Sequence, residues 1–130
     1  MKILMVTPAP PRSRKGNRVT AERWARCLRQ LGHRVVVAQE FAGSVNEPSC
    51  DLMIALHARR SYPSIQRFRL RHPHLPLIVA LTGTDLYRDI HTSKSARKSL
   101  EMAIRLIVLH PNGIAEMPAH LRAKTPGPVS

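Results

Sequence analysis

The 130-residue chain carries 21 Lys+Arg against 8 Asp+Glu, a formal net charge of +13, with 43% hydrophobic but only 4% aromatic residues. That is enough apolar material for one domain with a real core, which excludes a disordered chain, and no run approaches the ~18 apolar residues needed to cross a bilayer. So basic a balance points to anionic ligands, but the cations are scattered through core periodicities and the aromatics are too few for a base-stacking platform, so nucleic acid is not the expected partner.

The chain begins with a strand-like run over residues 2–7 and shows no signal-peptide profile, so a cytoplasmic location without membrane contact is expected. A proline-rich basic loop follows, with Arg12, Arg14, Lys15 and Arg18, and opens a helix at Gly16-Asn17. Asn17 is the expected N-cap, and Ala21, Ala25, Leu28 and Leu31 mark the apolar face to about residue 31. Gly32 stops that helix before a second strand over 33–38. Residues 41–49 read as loop. The near-continuous apolar run over 51–56 suits a central parallel strand covered on both faces. Ser61 and Pro63 start a second helix that ends near His72-Pro73, and 76–81 is a fourth strand. Ser93 caps a third helix reaching about Ala103, 104–109 is a fifth strand, and a short helix is expected after Pro111-Asn112. This alternation predicts an α/β fold with a Rossmann-like, doubly wound parallel sheet. Residues 122–130, with Pro126-Gly127-Pro128, read as a linker or truncated end to a domain spanning 1–121.

Cys27 and Cys50 form neither a disulfide framework nor a metal cluster, and the seven histidines offer no pair at helical ligand spacing, so no metal is expected. The first loop is not the glycine pattern of a dinucleotide fold or a P-loop; it reads as an anion or acceptor site at a helix N-terminus. Two more loops fall on the same rim, His57-Ala58-Arg59-Arg60 after the third strand and Thr82-Gly83-Thr84-Asp85 after the fourth. Singly each has a plainer reading: Arg59-Arg60 as a solvated pair, His57 as a satisfied loop histidine, Asp85 as a turn residue. Their convergence on one edge singles them out.

The runs Val6-Thr7-Pro8-Ala9-Pro10, Arg14-Lys15-Gly16-Asn17-Arg18-Val19-Thr20-Ala21 and Leu31-Gly32-His33-Arg34-Val35 resemble the N-terminal half of a GT-B glycosyltransferase. Within that superfamily, Ala55-Leu56-His57-Ala58-Arg59-Arg60-Ser61 and Ala80-Leu81-Thr82-Gly83-Thr84-Asp85-Leu86-Tyr87-Arg88-Asp89 resemble the selenosugar synthases of selenoneine biosynthesis. The resemblance implies a full enzyme that joins selenophosphate to the anomeric carbon of a UDP-sugar, releasing UDP and phosphate, with small-molecule substrates and no further cofactor. The family's nucleotide-sugar contacts lie chiefly in a C-terminal domain for which nothing here can stand. This chain is therefore expected to be the acceptor-side half, lacking the donor domain and inactive alone. On that basis Lys15, Gly16, Asn17 and Arg18 hold the acceptor anion, supported by Arg59 or Arg60. Thr82, Gly83 and Thr84 complete the anion-binding set, and His57 and Asp85 are the catalytic candidates. A GT-B enzyme with another acceptor, such as a lipid phosphate or ordinary sugar, and a non-enzymatic basic nucleic-acid-binding module remain the alternatives.

Overall fold

A computed structural model describes residues 1–8, 16–43, 49–81 and 89–108, together with Leu121 and Lys124, with Gly16 and Asn17 described as backbone. Five strands, β1 (Lys2–Val6), β2 (Arg34–Ala38), β3 (Leu52–Leu56), β4 (Leu77–Leu81) and β5 (Arg105–Val108), form one sheet in the order β2-β1-β3-β4-β5. Every neighbouring pair is parallel, with Met5 opposite Val37 and Ile54, and Ile54 in turn opposite Ile78. Parallel neighbours require crossovers, and the helices supply them: α1 (Gly16–Gln30), α2 (Tyr62–Arg71), the single turn α3 (Ile90–Thr92) and α4 (Lys94–Met102). The expected α/β architecture is thus present, compatible with a Rossmann-like sheet.

Side-chain alternation along the strands sorts the core into two layers. Ile3, Met5, Val35, Ile54 and Leu56 meet Ala21 and Ala25 of α1, with Trp24 and Leu28 packed alongside. Leu4, Val6, Met53, Val79 and Leu106 face the other way, against Ile65 and Phe68 of α2 and Ala96 and Leu100 of α4. Helices therefore cover both faces, which is why β3 is apolar throughout.

Two local expectations are corrected. α1 begins at Gly16, so Asn17 lies in its first turn rather than at its cap. It ends at Gln30, and the left-handed Gly32 (φ 95°) turns the chain away, leaving Leu31 74% exposed instead of on the buried face. Ser93 does cap α4, accepting from the Ala96 N–H at 3.2 Å. At the far end of the sheet the Leu106 N–H donates to the Lys124 carbonyl at 2.9 Å, so the chain is still bound to the fold at Lys124. The helix expected after Pro111-Asn112 lies outside the described residues.

Arg69 joins the edges of this frame. Its Nη1 donates to the carbonyls of His72, Pro73 and Leu75 at 3.2, 3.0 and 2.9 Å, and its Nη2 to Met102 at 3.2 Å. One guanidinium thus satisfies the C-terminal ends of both α2 and α4 and the entry to β4. Arg69→Met keeps the apolar stem but removes all four of these bonds. It should cost about 2 kcal/mol and lower the thermal midpoint by roughly 8 °C in a melting experiment.

Candidate functional site

Order β2-β1-β3 places the topological switch between β1 and β3, where the chain leaves β1 for one face and β3 for the other. Ligand crevices in open α/β sheets form at the carboxyl ends of such a pair. The segments after β1, β3 and β4 all leave from that rim because the three strands are parallel.

The turn after β3 is tightly constructed. His57 adopts φ 74°, left-handed for a residue other than glycine, at roughly 1–2 kcal/mol. Surrounding bonds hold it there. Its N–H donates to the Ala80 carbonyl at 2.9 Å, its carbonyl accepts from the Ser61 N–H at 3.0 Å, and its Nδ1 accepts from the Arg60 N–H at 3.1 Å. Ser61, read from the sequence as a helix start, makes no cap bond through its side chain. Its hydroxyl donates instead to the Leu56 carbonyl, and the Ser99 hydroxyl reaches from α4 to the Ala58 carbonyl at 2.7 Å. A strained residue fixed from several directions at a rim of this kind makes the turn a candidate functional element.

Asp89, almost fully buried at the start of α3, collects the side chains of this turn. The Arg59 Nε donates to its Oδ2 at 3.0 Å, and the His57 Nε2 lies 3.9 Å from the same oxygen, too far for a hydrogen bond. Because Nδ1 of His57 accepts a backbone N–H, the ring is neutral with its proton on Nε2, facing Asp89. His57 is thus a buried member of the wall, with Nδ1 already committed inside the protein. Arg59 is held through Nε while its side chain remains 40% exposed, which leaves the distal end of the fork toward solvent.

Arg60 goes elsewhere. It borders a cleft of about 500 Å³ with Pro8 after β1, Gln39 and Glu40 after β2, and Ser64 and Arg67 on α2. The two consecutive arginines therefore serve different sides of the rim.

On the first loop, Arg18 pairs with Glu22 at 2.7 Å across one turn of α1. Three buried side-chain polar atoms have no hydrogen-bond partner among the described residues: Thr7 Oγ1 at the carboxyl end of β1, Arg18 Nε in the first turn of α1, and His33 Nδ1 just before β2. The first two flank the basic segment 9–15 in the sequence. Gly16 and Asn17 contribute backbone to that turn. Lys15, Thr82, Gly83, Thr84 and Asp85 lie outside the described residues. No group of three or more potential metal ligands occurs among the described residues.

The structure therefore brings together His57, Arg59 and Asp89, and puts Arg60 in a cleft with Gln39, Glu40 and Arg67. Asp89 ends the run after the fourth strand that carries the resemblance and lies 30 positions from Arg59; nothing in the sequence announces that the two pair. Compared with known proteins, the chain matches no family model and no curated protein.

The left-handed turn yields a direct expectation. At ordinary positions glycine is less stable than alanine, but at φ 74° the order reverses. His57→Gly should be more stable than His57→Ala by about 1 kcal/mol in paired denaturation curves.

Proposed function

We propose that this chain is the acceptor side of a GT-B glycosyltransferase that joins selenophosphate to the sugar of a UDP-sugar, with nucleotide contacts supplied by a second domain. The sequence resemblance is the source of this reading. The structural observation that carries it is that Thr7 Oγ1 and Arg18 Nε, which border the basic segment in the sequence, are buried without a hydrogen-bond partner among the described residues. Buried polar groups are rarely left unpaired, and a hydroxyl at the end of β1 and a guanidinium N–H in the first turn of α1 are donors suited to an oxyanion.

The chemistry asks little more of these residues. Selenium of selenophosphate is already nucleophilic: its lone pair forms the Se–C1 bond as the bond from C1 to the UDP oxygen breaks, and UDP leaves with that electron pair. Phosphate departs when water adds to phosphorus and the P–Se bond breaks. The acceptor side has to hold a multiply charged anion in line and offset its charge, work for Lys15, Arg18 and the α1 N-terminus, with Arg59 supporting. His57 contributes by shaping the turn and keeping a neutral Nε2–H toward Asp89, while Asp85 remains the catalytic candidate on the fourth-strand loop.

Thr7→Val tests the carrying observation because stability and function should move in opposite directions. Removing an unsatisfied buried hydroxyl should stabilise the fold by about 1 kcal/mol, while selenophosphate use should weaken roughly fivefold to tenfold. In an enzyme forming selenosugar, Lys15→Ala with Arg18→Ala should cost roughly two to four orders of magnitude in kcat/KM for the acceptor and spare UDP-sugar binding. Unchanged acceptor kinetics in folded variants would overturn the reading.

A further inference from the structure

We infer that the cleft beside Arg60 is a subsite for a sugar phosphate, in which Glu40 and Gln39 take ring hydroxyls and Arg60 and Arg67 take the phosphate. It extends the proposed function, resting on that reading only for the sugar phosphate being a glycosyl one. At about 500 Å³ the cleft lies within the usual range for small-molecule sites, roughly 300–1,000 Å³.

Charge pairing elsewhere in the chain makes Glu40 stand out. Among the described acids, Glu22 is paired with Arg18, Asp51 accepts from the Lys2 N–H at 2.8 Å, Asp89 is paired with Arg59, and Glu101 is also engaged. Glu40 makes no hydrogen bond or ion pair among the described residues, although Lys+Arg outnumber Asp+Glu by 21 to 8 and two arginines line the same cleft. The Arg60 side chain and Gln39 are likewise without protein partners among the described residues. A cleft that keeps a carboxylate, an amide and a guanidinium apart and unpaired is matched by a ligand with an acceptor-seeking hydroxylated end and an anionic end.

The segment bearing Gln39 and Glu40 is also anchored. The adjacent Phe41 donates its N–H to Ser64 Oγ at 2.9 Å and accepts from Arg67 Nη1 at 3.3 Å, while its buried ring meets Phe68 edge-on at 5.6 Å. The end of β2 is thereby fixed to α2, and Glu40 shares the cleft with the arginines from an anchored segment, as a preorganised site requires. A purely anionic ligand would be repelled by Glu40; a neutral sugar would leave the arginines unused.

Calorimetric and NMR titrations of the chain with glucose 1-phosphate, inorganic phosphate and glucose test this directly. Glucose 1-phosphate should bind more tightly than either of the others, with amide shifts at Gln39, Glu40, Arg60 and Arg67. Glu40→Gln should weaken glucose 1-phosphate about tenfold yet leave phosphate unchanged or tighter, because it exchanges one charged acceptor oxygen for a donor NH2 and removes the negative charge. Arg60→Ala, whose backbone bond to His57 is retained, should weaken both ligands. Both side chains are exposed, so folding is not at stake. Equal affinity for glucose 1-phosphate and phosphate, parallel losses of both in Glu40→Gln, or shifts confined to residues outside the cleft would overturn the subsite. None of these titrations uses selenophosphate or UDP. A selenophosphate assay that forms no selenosugar would remove the glycosyltransferase reading and leave the subsite standing, and the reverse outcome would separate them equally well.

Discussion

Parallel pairing of β1 with both β2 and β3 is the constraint on which the rest of the molecule depends. Parallel strands cannot be joined by hairpins, so the chain must leave β1 across one face through α1 and leave β3 across the other through α2. Met5 and Val6 of β1 are fully buried on opposite faces. A one-residue slip would exchange the two core layers and strand both sets of partners, so the register is held by packing on two sides at once. α1 and α2 therefore cover opposite faces of the sheet, and His57, Arg59 and Arg60 stand on the turn that joins β3 to α2.

Rigidity at that rim is built against local preference. His57 accepts an unfavourable backbone conformation, and hydrogen bonds from β4, α2 and α4 converge on its turn to compensate. Asp89 then takes one of the two consecutive arginines while the turn directs the other into the cleft. Burying a carboxylate is costly unless it is paired, and the Arg59 bond meets that cost while leaving the far end of the guanidinium exposed. The same bonds that strain and stabilise the turn therefore also decide which cation faces which ligand.

Much of this frame is legible in the sequence. All five strands lie within a residue of their apolar runs, because a strand covered on both faces has few other ways to be written, and Ser93 announces α4 through a cap bond that needs only local geometry. Leu31 departs from its expected place because helical spacing does not record where a left-handed glycine ends the helix. Ser61 lies at the expected boundary, but its hydroxyl turns back to the strand, a choice made by the strained turn rather than by helix chemistry. The pairing of Asp89 and the place of Gln39 and Glu40 are hidden in the sequence for a shared reason. They acquire meaning only through partners 20 or more positions away, as with the 23 positions between Phe41 and Ser64 that fix the β2 exit. The loops after β1, β3 and β4 look functional from their composition; the contribution from the end of β2 becomes visible only once α2 is packed against it.

Net charge alone does not choose a ligand; its local arrangement does. A chain of +13 attracts anions everywhere, and several of its arginines are employed in the fold, as Arg69 is on four carbonyls and Arg97 on the carbonyls of Ile90 and His91. Such guanidiniums raise the surrounding potential without offering a directed fork to a ligand. Groups with capacity to spare at the carboxyl rim include the exposed part of the Arg59 side chain, the side chain of Arg60, the Nε of Arg18 and the hydroxyl of Thr7. Glu40 works in the opposite sense. An unpaired carboxylate in that field lowers the affinity for simple anions and rewards a ligand that brings hydroxyl donors along with its charge, so an otherwise indiscriminate basic surface acquires a preference where the fold has made a cleft.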